Sequence, residues 1–149
     1  MFSRSLAVLG AVAIVACSDG TGPSSRLTVS QLEGVWDLSR IEMVLASDSA
    51  VYQNVMQTLG LTVQLTIRRD GTASLTVQST GQSPTTIAAT ITLHGDTLVY
   101  QPNVGSQYAT TVRLSGRTMT WLALNVIAWD LNGNGSPVNV YERDVWQRR

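Results

Sequence analysis

An all-β fold, an eight-stranded antiparallel up-and-down barrel, is predicted from three features of the chain. Apolar and polar residues alternate in run after run from about residue 35 onward. Glycine-bearing turns separate these runs at near-regular intervals, and the connections are too short for crossovers.

The first strand is expected near Val35 to Val44. In the second, Leu61, Val63, Leu65 and Ile67 alternate with Thr62, Gln64, Thr66 and Arg68, giving one apolar and one polar face. Arg69-Asp70-Gly71 is a tight hairpin, with glycine supplying a positive φ. Ala73, Leu75 and Val77 carry the alternation on. A turn from Gly81 to Pro84 leads to the strand of Ile87, Ala89, Ile91 and Leu93, and His94-Gly95-Asp96 turns the chain into Leu98-Val99-Tyr100. After Pro102 to Ser106 come Tyr108, Thr110, Val112 and Leu114, then the turn Ser115-Gly116-Arg117 and a strand from Met119 to Val126. The loop Asp130 to Pro137 precedes the last strand, Val138 to about Trp146. Strands in such a meander lose their open edges by closing on themselves. A two-sheet sandwich is the alternative, and it needs a long crossover that only residues 47–60 could supply. There Ser47-Asp48-Ser49 offers a helix cap, and Val51, Val55, Met56 and Leu59 fall near helical spacing. A short helix or ordered loop is expected, either a lid over the open end or a segment packed on the wall.

The N-terminus has the layout of an export signal: Arg4, an apolar run from Leu6 to Val15, then small residues before Cys17. The run is too short to span a bilayer, which takes about 20 apolar residues. Ile14-Val15-Ala16-Cys17 resembles the bacterial lipobox. That resemblance implies a signal peptide at residues 1–16, cleavage before Cys17, and acylation of Cys17 by two or three chains. Each buried methylene contributes about 0.8 kcal/mol, so such an anchor is effectively permanent. Ser18 after the cysteine favours the outer membrane by the same resemblance. Residues 17–30 form the lipidated N-terminus and a flexible linker rich in Gly, Ser and Thr, and residues 31–149 the barrel domain.

Charge excludes one class of partner. The chain carries 10 basic residues against 10 acidic ones, and it has no basic patch of the kind nucleic-acid binding requires. Cys17 is the only cysteine, so the folded part has no disulfide and depends on its core.

Leu32-Glu33-Gly34-Val35-Trp36 resembles the Gly-x-Trp signature of lipocalins and lipocalin-like domains, at the position where that family carries it. The resemblance implies that Trp36, introduced by Gly34, plugs the closed end of the barrel. It also implies an arginine from the last strand stacked on the indole, for which Arg143 and Arg148 are the candidates.

Alternation assigns an inward set. Leu65, Ile67, Leu75, Val77, Ile91, Leu93 and Leu98 are its aliphatic members, and Tyr100, Tyr108 and Trp121 add aromatic rings with polar edges. Either these side chains fill the barrel, or they surround an apolar cavity suited to an acyl chain or a similar small apolar ligand. Asp130-Leu131-Asn132-Gly133-Asn134-Gly135 resembles the first half of a Ca²⁺ loop but lacks the closing glutamate, since Tyr141 takes its place, and a hairpin loop is the simpler reading. His94, the one histidine, lies in a turn, with no second histidine for a metal site and no nucleophile elbow in the chain. Glu142 and Asp144 share a face of the last strand and are expected to be solvated. No cofactor, metal or catalytic constellation is expected. The leading expectation is a membrane-anchored envelope lipoprotein whose barrel binds a small hydrophobic ligand. The alternative is a filled barrel acting as an interaction or inhibitor module for an envelope protein of unknown identity.

Overall fold

The computed structural model describes residues 26–149. The segment expected to be an export signal, Cys17 and most of the expected linker lie outside the described residues. The elements are α1 (Val29–Leu32), β1 (Gly34–Leu45), β2 (Tyr52–Asn54), α2 (Met56–Leu59), β3 (Leu61–Ile67), β4 (Thr72–Ser79), β5 (Thr85–His94), β6 (Thr97–Pro102), β7 (Tyr108–Ser115), β8 (Thr118–Trp129) and β9 (Val138–Arg148). From β3 to β9 each strand pairs antiparallel with the next, β1 pairs with β3, and β1 also pairs with β9. That last pairing closes an eight-stranded up-and-down barrel and excludes the sandwich.

Register follows the alternation. Val63 lies opposite Val77, Leu65 opposite Leu75 and Ile67 opposite Ala73, so apolar residues meet on the inner face of β3 and β4. The hairpin between them needs its glycine: Gly71 has φ +85°, and a Cβ there would lie 2.7 Å from the Ile91 carbonyl oxygen. In β1 a bulge between Leu38 and Arg40 resets the phase. Trp36 and Leu38 before it, and Ile41 and Met43 after it, therefore all pack inside.

Residues 47–60, expected to be a short helix or an ordered loop, hold both a short strand and one helical turn. β3 begins only at Leu61, so the C-terminal half of β1 has a free edge, and β2 takes it by pairing Tyr52–Asn54 with Glu42–Val44. Only a single helical turn, α2, follows. Of the apolar residues at helical spacing Val55 alone is buried; it packs with Met43 and Val140 at the mouth of the barrel, whereas Val51 and Leu59 are exposed. At the other end, Leu27 and Val29 pack against the main core and Leu32 is fully buried, so the packed chain starts inside the span assigned to the linker. β8 also runs further than expected. Beyond a bulge between Leu122 and Val126 it pairs with β9 alone, and its last residues have no strand on the β7 side.

Candidate functional site

The closed end is sealed by the Gly-x-Trp segment. Trp36 is 0% exposed, and its Nε1 donates to the carbonyl of Leu32 at 2.8 Å. The Arg148 guanidinium carbon lies 4.4 Å from the Trp36 ring centroid, and Arg148 Nη2 donates to the Gln31 carbonyl at 2.6 Å. Stacking on the ring and tying down the turn before it are thus done by one side chain. Gly34 has φ +142°, and a Cβ there would meet Arg148 only at ordinary contact distances of 3.6 Å and more, so backbone conformation rather than crowding calls for glycine.

Arg143 does not join the plug. It points to the outer face with Tyr141 and Val145, where its Nε donates to Glu42 Oε2 at 2.5 Å and its guanidinium lies 5.4 Å from the Tyr52 ring. Arg40 Nη1 lies 3.2 Å from the second oxygen of Glu42, close enough for charge pairing but without hydrogen-bond geometry. A depression of about 670 Å³ surrounds this cluster on the outside of β1, β7, β8 and β9. Its one buried carboxylate, Glu42, faces Arg40 and Arg143, and a third arginine, Arg113, also lines it.

The interior differs between its two ends. Toward the plug it is solid: Leu65, Ile67, Ile91 and Leu98 are buried in the main core, with Leu93 packed against it. Toward the mouth a cavity of about 360 Å³ remains, walled by residues from β1, β3, β4 and β6 to β9. Leu75, Val77, Tyr100, Tyr108 and Trp121 line it, as expected from alternation. The inward set therefore divides between core and cavity.

Leu61 and Val63, on the apolar face that alternation gives β3, also line the cavity; Leu38, Ile41 and Trp146 do so without having been singled out by the sequence pattern, as do the acids. Glu142 and Asp144 are half-buried and line the cavity, not the outer surface of the barrel. The signal was present: Val140 and Trp146 share their parity, so the apolar ends of β9 set the inward phase for the acids between them.

The aromatic groups form a continuous row. Ring centroids of Tyr100 and Trp121 are 6.3 Å apart and those of Trp121 and Trp146 5.2 Å, both tilted. Beside this row, burial and the neighbouring Glu142 push the Asp144 carboxyl up to about 7, and burial raises Glu142 as well. Tyr108 is pushed well above the ordinary phenol range by burial and by the charges of Asp144 and Glu142. No arginine or histidine lines the cavity. Four buried polar atoms there have no protein partner: Tyr100 Oη, Trp121 Nε1, Trp146 Nε1 and Asp144 Oδ1. Most buried polar groups in folded proteins are hydrogen-bonded, so four orphans in one cavity point to a partner outside the chain.

The other candidates lie outside the cavity. The Asp130 carboxylate accepts the N–H groups of Asn134 at 3.1 Å and Gly135 at 2.7 Å, which makes the loop an Asx-closed turn. Among the described residues no cluster of His, Cys, Asp or Glu has metal-binding geometry. His94 is exposed at the end of β5. No family model matches the chain, and no curated protein matches it either.

Proposed function

We propose that the protein is a lipid-anchored envelope protein whose barrel binds one small, largely apolar ligand in the mouth-side half of its interior. The observation that carries this reading is the 360 Å³ cavity, whose mostly apolar lining residues include four buried polar atoms without protein partners. Ligand sites have that composition: mostly apolar, with a few polar groups that fix orientation. The volume is near the lower end of the usual range of about 300 to 1,000 Å³, which suits one compact molecule better than a long acyl chain. Val55, packed at the mouth against Met43 and Val140, sits where a lid would have to move. The lipobox resemblance at Cys17 supplies the envelope address and confines delivery to a tether's reach of one membrane.

Native mass spectrometry of the full chain in lipid nanodiscs tests the reading. A retained or titratable small molecule, lost when Trp121→Ala fills the cavity with water instead of an indole, is the expected result. A cavity that binds no apolar probe above the empty-nanodisc background would overturn it.

A second reading rests on a different surface. The end of β8 exposes Leu124, Val126 and Ile127 beside an edge with no strand on the β7 side. Such an edge can add a partner's strand, and an interaction module at the envelope would use it. Loss of an envelope phenotype in Val126→Lys, with ligand binding intact, would favour this second reading.

A further inference from the structure

The inference concerns what kind of molecule the cavity takes, and it rests on the ligand-binding reading above. Two carboxylates, Asp144 and Glu142, face a compartment that holds no arginine or histidine. The arginine between them in sequence, Arg143, points outward and is committed to Glu42. Asp144 Oδ1 has no partner. Beside the acids runs the row of Tyr100, Trp121 and Trp146: Trp121 is the cross-strand neighbour of Asp144, Trp146 lies two residues further along β9, and the three residues are 8%, 5% and 3% exposed.

A carboxylate pair beside tilted aromatic rings favours one chemistry over the others. Ring faces attract a cation, and they do so more strongly when desolvated. A buried carboxylate without a counter-charge is costly, and a cation brought by the ligand removes that cost. An anionic ligand meets like charge from two directions. A neutral one leaves the acids unpaired. The orphaned indole N–H groups of Trp121 and Trp146 require an acceptor, which a hydroxyl or ether oxygen on the same ligand, or a water entering with it, supplies.

We infer that the ligand is a small organic ammonium ion, held by the carboxylates of Asp144 and Glu142 and by the rings of Tyr100, Trp121 and Trp146. The titratable groups facing Asp144 are Glu142 on its own strand, Tyr108 on β7 and Tyr100 on β6; the remaining walls are apolar, apart from Ser106 and the two indole N–H groups. Because burial raises both acids, binding of the cation is coupled to proton release, and affinity falls as pH drops from 8 to 5.

The test uses the full chain in nanodiscs, with empty nanodiscs as blank, and three probes of equal chain length: hexylammonium, hexanoate and 1-hexanol. Tryptophan fluorescence reports occupancy. At pH 8 hexylammonium is expected to bind at least about tenfold more tightly than 1-hexanol, with hexanoate weakest. Asp144→Asn is expected to cut that preference severalfold, and Asp144→Asn with Glu142→Gln to erase it, while an unchanged near-UV circular dichroism spectrum separates loss of charge recognition from loss of fold; a preference that both variants keep would overturn the inference. Equal or tighter binding of 1-hexanol or hexanoate would overturn the inference and leave the ligand-binding reading standing. Binding by none of the three would remove both.

Discussion

Replacing Asp144 by asparagine keeps the shape of the side chain and removes its charge. In the folded protein the carboxyl is pushed up to about 7, against 3.8 for the unperturbed group. Between those values the folded state holds a proton that the unfolded state has released, so stability falls as pH rises from about 4 to about 7. Above 7 the loss is complete and stays constant. A difference of about 3 units corresponds to about 4 kcal/mol, and water entering the cavity reduces this to roughly 2 to 4 kcal/mol. Asp144→Asn should therefore match the wild type near pH 4 and exceed it by that amount at pH 8, a shift in Tm of roughly 8 to 15 °C for a domain of this size. Thermal unfolding of the ligand-free full chain, followed by near-UV circular dichroism between pH 4 and pH 8, measures it. Glu142, raised by burial, leaves a smaller slope of the same sign in the variant. Hydrogen bonds lower the carboxyls of Asp37, Asp70 and Asp130, so their contribution is present above about pH 4 and lost as pH falls through their folded values, outside the window of interest. A variant less stable than the wild type at pH 8 would refute the reasoning, because it would mean that the charged carboxylate is solvated or paired.

Trp36→Ala should cost about 3 to 5 kcal/mol in denaturant unfolding, and Arg148→Ala about 1 kcal/mol through loss of the stack and of the bond to Gln31. Glu42 is 1% exposed, while Arg143 keeps 26% of its side chain exposed. Glu42→Gln is thus expected to cost about 2 kcal/mol, below the 3 to 5 of a fully buried broken pair, with little change in ligand affinity because the cluster lies outside the barrel. Gly71→Ala should lose about 2 kcal/mol or more, since a positive φ and the close Ile91 oxygen both oppose a Cβ. Cys17→Ser should abolish the acylated N-terminus in mass spectrometry and release the protein from the membrane fraction.

The barrel was legible because a strand with one face in the core must alternate, and glycine turns in this chain mark the ends of the runs. Three places resisted for identifiable reasons. β2 exists because β3 begins late and leaves half of β1 unpaired, a fact about neighbours that residues 52–54 do not encode locally. The plug arginine depended on phase: Arg143 and Arg148 both lie in β9, and only the register against β1 sends one outward to Glu42 and lays the other across Trp36. Glu142 and Asp144 were expected to be solvated because acids near a chain end usually are, yet Val140 and Trp146 at the same parity commit that face to the interior.

By itself the sequence determined the class of fold, the order of the strands and two motif resemblances, that of residues 14–17 to a lipidation site and that of Gly34 to Trp36 to a signature which implies a tryptophan at the closed end. These follow from local rules: period-two patterning, turn chemistry and short motifs act over a few residues. Tertiary structure alone decided that the barrel is filled at one end and hollow at the other, and that two acids and an aromatic row share the hollow part. The physical reason is closure. When β1 pairs with β9, residues more than a hundred positions apart become neighbours, and whether their side chains meet or leave a gap depends on volumes summed around the ring.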